Sequence, residues 1–249
     1  MFNNESYHKG RSVVYASAHA ASHQPIEMFK ESKMSKALSS SITGETGSTL
    51  DCHFWLPGAA EQYCLSKDIR DYIMVPVPTI VSDMPNTNGV AFPRNELIKF
   101  NAELGRMAYK TFKGKPTHQE HANQDITLAK GVILDVFVTP LRGFAGNKLL
   151  KVVELLSFDR SKDPALANDI LNGTINSYSM GAYFEGYRCS VCASDRGMCR
   201  HTSPKDPLRK MADGQLVYRN IYNISGFETS AVRNPAYIFA LSDKVMGVR

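Results

Sequence analysis

Five runs rich in β-branched and apolar residues, at 73–81, 131–138, 149–156, 174–187 and 215–232, constrain the fold of this chain more than any other feature. Their residue types suit a half-buried pleated surface, and proline, glycine or asparagine punctuates the gaps between them. Pro76 and Pro78 lie inside the first run. A proline cannot donate to a ladder, so this run is expected as an edge or bulged strand, with Asn86 to Gly89 turning the chain after it. Pro140, Gly143 and Gly146 separate the second and third runs, which suits an antiparallel pair. Helical signals are fewer. Leu97, Ile98, Phe100, Leu104, Met107, Ala108 and Phe112 recur at helical spacing, which predicts an amphipathic helix over 94–112 stopped by Gly114 and Pro116. A shorter helix is expected with Asp163 as N-cap, Pro164 in its first position, Leu166 and Ile170 on one face, and Gly173 at its end. Many strands with few helices imply a β-rich α+β domain.

Residues 1–50 are rich in Ser, Ala, His and Thr and show no sustained periodicity, so they are expected to form a weakly ordered N-terminal extension before a domain at 51–249. With 249 residues, 43% of them hydrophobic, the chain can bury one substantial core or two small ones. It contains no run of eighteen apolar residues, and its first residues lack the basic and apolar regions of a secretory signal. A protein inside the cell without a membrane span is the expectation. The net charge is +5. Between Arg188 and Arg219 seven Arg or Lys stand against three Asp, so most of the excess belongs to one basic insert, at 188–214. That insert leaves nucleic acid or an acidic protein open as a partner, beside the plainer reading of a solvated loop.

Three of the five cysteines fall in the same insert. Cys189, Cys192, Cys199 and His201 offer ligand types and close pairs suited to a tetrahedral Zn2+, which would staple the insert without doing chemistry. Cys52 and Cys64 are isolated, and Trp55 near them suggests core.

Side chains for nucleophilic catalysis are present as well. A serine hydroxyl is a poor nucleophile near neutral pH unless an imidazole takes its proton. The loop at 115–123 holds His118 and His121, and the strand at 174–187 holds Ser177 and Ser179 on one face, with Tyr178 and Met180 on the other. Alternation cannot choose between the two serines. Gly181, also on the serine face, would leave room for a substrate carbonyl. Glu228 is an acidic residue in an otherwise apolar run, where a carboxylate needs a partner to offset its desolvation; an imidazolium would serve. Asp125, Asp135 and His118 remain alternatives for that third position.

Four segments, in this order, resemble one known family: Asn88-Gly-Val-Ala-Phe-Pro93 before a helical signal; Glu120-His121-Ala-Asn123 leading to Lys130-Gly-Val-Ile133; Tyr178-Ser-Met-Gly181; and Phe227-Glu-Thr-Ser-Ala-Val-Arg-Asn-Pro-Ala236. The family is the prohead proteases of tailed bacteriophages, capsid-maturation enzymes similar in fold to the herpesvirus assembly proteases. The resemblance covers roughly residues 88 to 236 and leaves the first fifty unmatched. It implies a closed or nearly closed β-barrel with flanking helices and the Cys/His insert between core strands. It also implies His121 as general base, Ser179 as nucleophile before the Met180-Gly181 pair, and Glu228 as the residue orienting the imidazole, without a catalytic cofactor. The related herpesvirus enzymes use a second histidine in that third place. The implied activity is that of a serine endopeptidase cleaving scaffold and major capsid proteins, and its own ends, inside the assembling prohead in the host cytoplasm. Homo-oligomerisation stays open. The competing expectation is a non-enzymatic, zinc-stabilised protein that binds capsid or nucleic acid through the basic insert.

Overall fold

Where the sequence alternates, the chain pairs. The computed structural model describes residues 12–16, 52–102, 104–141, 149–195, 199–203, 206–235 and 246–247. Its strands are β1 (Ser12–Ala16), β2 (Tyr72–Val81), β3 (Val90–Ala91), β4 (Phe100–Asn101), β5 (Arg106–Met107), β6 (Pro116–Gln119), β7 (Gly131–Pro140), β8 (Leu150–Asp159), β9 (Ser177–Phe184), β10 (Gly186–Cys189), β11 (Arg219–Tyr222), β12 (Ser225–Val232) and β13 (Met246–Gly247). The helices are α1 (Cys52–Tyr63), α2 (Arg94–Leu97) and α3 (Pro164–Leu171). The fold is mixed α+β and strand-rich, as its sequence pattern implies. Eight strands form one sheet in the order β1-β9-β12-β6-β7-β8-β2-β13, curled into a half-barrel. All neighbours in it are antiparallel except β12 and β6. A second sheet, β10-β11-β3, carries the Cys/His insert.

The pleat sorts side chains to two cores. Ile73, Val75, Val77, Ile133, Val152, Leu156, Tyr178, Met180 and Ala182 face the inside of the curl, where Leu166 and Ile170 of α3 join them. Tyr72, Met74, Val132, Leu134 and Leu155 point outward and are covered by Leu56, Ala59 and Tyr63 of α1. Trp55 stands edge-on to Tyr72, with ring centroids 5.3 Å apart, at the border of that second core. Because Tyr178, Met180 and Ala182 face inward, Ser177, Ser179 and Gly181 occupy the outer face of β9, the segregation that alternation implies.

Several expectations take their physical form here. α3 has its N-cap, since the Asp163 side chain accepts from the Leu166 N–H, and Gly173 ends it at φ +74°. β2 is bulged between Pro78 and Ile80, and β13 reaches only Ile73 and Met74, so the prolines meet no outward ladder among the described residues. β7 and β8 are the expected antiparallel pair. The predicted 94–112 helix is not formed. Only Arg94–Leu97 is α-helical, followed by the β4-β5 hairpin and a 3-10 turn at Ala108–Phe112. The Asn101 side chain accepts from the Leu104 N–H, and Gly105 adopts φ +62°; together they close a turn that competes with the helix. Ile98, Phe100, Leu104 and Met107 are exposed as a result.

The long runs at 174–187 and 215–232 each break into two strands. Gly186 starts the strand that leaves for the second sheet, and Asn223, at φ 51°, separates β11 from β12. Within the segment expected to be weakly ordered, residues 12–16 form β1, paired with β9. The rest of 1–50 lies outside the described residues.

Inside the curl, the fully buried Glu154 carboxyl joins three strands. It meets the Thr79 hydroxyl at 3.0 Å and the Thr229 hydroxyl at 2.6 Å. Thr229 also lies 3.0 Å from the Glu228 carbonyl oxygen. A hydroxyl has one proton, so if Thr229 donates to that carbonyl, the proton between Thr229 and Glu154 must come from Glu154. Burial pushes this carboxyl from 4.5 up to about 8, in keeping with a neutral acid. Such a raised folded-state value favours folding fully below the unfolded pKa, and the benefit is lost as pH rises toward about 8. Glu154→Gln preserves a donor and an acceptor without a titrating group. Urea titrations at about pH 5 and about pH 9 should show the wild type losing stability on the order of a few kcal/mol between them, and the Gln variant losing much less. Equal slopes would place the titration elsewhere.

Candidate active site

β6 lies parallel to β12, with Thr117, His118 and Gln119 in register with Thr229, Ser230 and Ala231. Immediately after β6, Glu120 (φ 49°) and His121 (φ 56°) adopt left-handed backbone, unusual for two consecutive non-glycine residues. Conformations of this kind cost about 1–3 kcal/mol each and persist only where neighbours hold them. Here β12 holds them. The Glu120 N–H donates to the Ala231 carbonyl (3.0 Å), the Arg233 N–H donates to Glu120 Oε1 (2.8 Å), and the His121 N–H donates to Ser230 Oγ (3.2 Å).

The turn brings the imidazole over the outer face of β12 and β9, where Ser230 pairs with Ser179 and Glu228 with Gly181. His121 Nδ1 is 2.8 Å from Glu228 Oε1, and His121 Nε2 is 2.7 Å from Ser179 Oγ. With Nδ1 protonated, the ring donates to the carboxylate and its Nε2 accepts from the serine hydroxyl, the tautomer a general base requires. Glu228 is fully buried, and its second oxygen accepts from Ser230 Oγ at 2.6 Å. The His121 side chain keeps 23% exposure. The three residues singled out in the sequence therefore meet, in the order serine, imidazole, carboxylate, as the chemistry of acyl transfer needs.

The alternatives have other partners. Ser177 Oγ donates to the Val232 carbonyl at 2.6 Å, the behaviour of a strand serine. His118 is buried in β6, hydrogen-bonded to the Leu128 backbone, with Nδ1 lacking a partner among the described residues. Burial depresses its pKa, which keeps the ring neutral beside the site. Asp125 caps the turn at Thr127, and Asp135 pairs with Lys113 at 3.5 Å. Cys52 and Cys64 are free thiols at the α1 end of the molecule.

Gly181 also has a steric reason within the fold. A Cβ there would come within 2.5 Å of Phe227 Cζ and 2.8 Å of Glu228 Oε1, so the absent side chain makes room for the ring and the carboxylate. Ser230 escaped the sequence reading, although its signal was present. It follows Glu228 by two residues on a strand and so shares its face.

At the end of β10 the Cys/His cluster assembles as its spacing suggests. The candidate ligand atoms of Cys189, Cys192, Cys199 and His201 all lie within 4.8 Å of one another and can hold a metal ion. The Val191 N–H points at Cys189 Sγ (3.4 Å), and Ala193, at φ 56°, closes the turn by donating to the Cys189 carbonyl (2.9 Å). Hydrogen bonds from Ser194 lower the Cys192 thiol to about 7, while burial raises that of Cys189. No helix among the described residues is long and apolar enough to cross a membrane. Comparison of the chain with family models, with curated proteins and with solved structures gave no match.

Proposed function

We propose that this chain is a serine endopeptidase of the prohead-protease type. The observation that carries the proposal is the unbroken hydrogen-bond path from Ser179 through His121 to the buried Glu228. Ser179 attacks the scissile carbonyl while His121 takes its proton; the same imidazole returns the proton to the leaving amine, and an acyl-enzyme on Ser179 results. Water then repeats the sequence and frees the serine. Glu228 holds the ring in its tautomer and stabilises the imidazolium, and Ser230 holds Glu228. The resemblance carried by the four segments supports scaffold and major capsid proteins as substrates, and the assembling prohead as the place of action.

The Cys/His cluster is proposed to hold one structural Zn2+. Three sulfurs and one imidazole fill a tetrahedral shell and leave no position for an activated water. A serine-directed fluorophosphonate tests the enzyme reading. Labelling of the folded wild type, with the adduct mapped to Ser179, is the expected result. A folded, unlabelled protein would favour the non-enzymatic reading, in which the basic insert binds capsid or nucleic acid.

A further inference from the structure

We infer that Phe227 and Tyr183 are specificity-determining residues: their rings floor a path from Ser179 to a cleft that receives an apolar side chain of the substrate, about four residues from the scissile bond. The inference rests on the serine-endopeptidase reading and goes beyond it by naming what the enzyme selects.

The path begins at a bulge in β12. Gly226 pairs with Ala182 and Glu228 with Gly181, which leaves Phe227 as the extra residue. Regular alternation would send residues 226, 227 and 228 inward, outward and inward. The bulge resets that order. Gly226 faces the core, where a Cβ would meet the Phe112 ring, whereas Phe227 and Glu228 both stand on the outer face, since a Cβ on Gly181 would meet each of them. The extra residue that lets the carboxylate reach His121 therefore also lays an aromatic ring in the gap left by Gly181, the next outward position on β9 after the nucleophile.

Tyr183, the outward position after that, continues the floor. Its ring centroid lies 4.7 Å from that of Phe227, and both residues are half-buried. Tyr183 also lines a cleft of about 400 Å3, which Phe100 of β4, 58% exposed, lines as well. The polar groups of this cleft engage one another. The Asn223 N–H donates to Glu96 Oε2 (3.0 Å), Lys99 Nζ donates to Asn223 Oδ1 (2.5 Å), and Asn223 Nδ2 donates to the Glu185 carboxylate. With those groups paired and two aromatic rings in its lining, the cleft suits an apolar side chain better than a charged one.

Strand geometry sets the distance. A rise of about 3.3 Å per residue puts Tyr183 about 13 Å along β9 from Ser179, the span of about four residues of an extended substrate. Side chains of such a peptide alternate, so the second and fourth residues from the scissile bond turn the same way, one over Phe227 and one toward the cleft.

The test uses the full-length wild type, Tyr183→Ala and Phe100→Glu. Each is given a mixture of synthetic peptides of varied sequence, with the cut bonds read by mass spectrometry and fluorophosphonate labelling as the check that Ser179 is reactive. Peptides cut by the wild type should be enriched in Leu, Phe or Met at a position about four residues from the cut bond. Replacing that residue by Lys should lower kcat/KM about tenfold or more, mostly through KM. Tyr183→Ala should erase most of this preference. Phe100→Glu changes an exposed position and should invert it, so that the Lys peptide is cut better than the apolar one. A wild type that is labelled at Ser179 and cuts peptides without an apolar preference at that distance, or variants that keep the wild-type preference, would overturn this inference alone. A folded wild type that is neither labelled nor able to cut any peptide would overturn the endopeptidase reading and this inference with it.

Discussion

Ser179→Ala should lower peptide hydrolysis by at least about a thousandfold while leaving the protein folded. The substitution removes one hydroxyl from the outer face of β9 and leaves the inward residues Tyr178 and Met180 in place, so stability should change little. His121→Ala should cost as much, and the double variant little more than either single one, because nucleophile and base act as one unit. Glu228→Gln should reduce turnover by about 10³ to 10⁴-fold, since an amide can hold the ring in the wrong tautomer. Two substitutions sharpen the assignment. Ser177→Ala loses a bond to the Val232 carbonyl and should keep its activity. His118→Ala leaves the bonded path untouched and should keep most of its rate once any loss of stability is corrected for. Initial rates on a quenched substrate peptide, with circular dichroism as the check on folding, measure all of these. A Ser179→Ala protein that turns over at the wild-type rate would remove the triad assignment.

Removal of the proposed Zn2+ should have the second large effect, confined to the insert. Between Cys189 and His201 the chain offers Val191 as its only β-branched apolar residue, too little to order a polar loop by burial. Binding free energy at a structural site of this ligand set is about 10–16 kcal/mol in apparent terms and is spent as folding free energy. Elemental analysis of protein purified without added metal should find about one zinc per chain. Chelation, or Cys192→Ser, should release it and open 190–214 to limited proteolysis, while the eight-stranded sheet keeps its resistance. Hydrolysis should survive in part, since the cluster sits on the second sheet and the Ser179, His121 and Glu228 path on the first. A metal-free protein with an equally resistant insert would show that the cluster orders itself.

These effects also mark how far the amino-acid order alone reaches. Local physics was legible: the cap and stop of α3 at Asp163, Pro164 and Gly173, the turn at Gly89, the bulge expected of prolines in β2, and the close spacing of Cys189, Cys192, Cys199 and His201. Each depends on residues a few positions apart. The helix expected over 94–112 failed for a local reason that periodicity overlooks, because the turn chemistry of Asn101 and Gly105 outweighs a coincidence of apolar spacing. Alternation also determined the outward face of β9, and with it the shared side of Ser177, Ser179 and Gly181. It could not choose between the serines. A period of two specifies a face and says nothing of register. Register came from pairing across the sheet, which sets Ser179 opposite Ser230 and, through the parallel docking of β6 on β12, puts His121 and not His118 over it. The same long-range pairing lays β1 along the edge of β9, because only the folded sheet has an edge to offer.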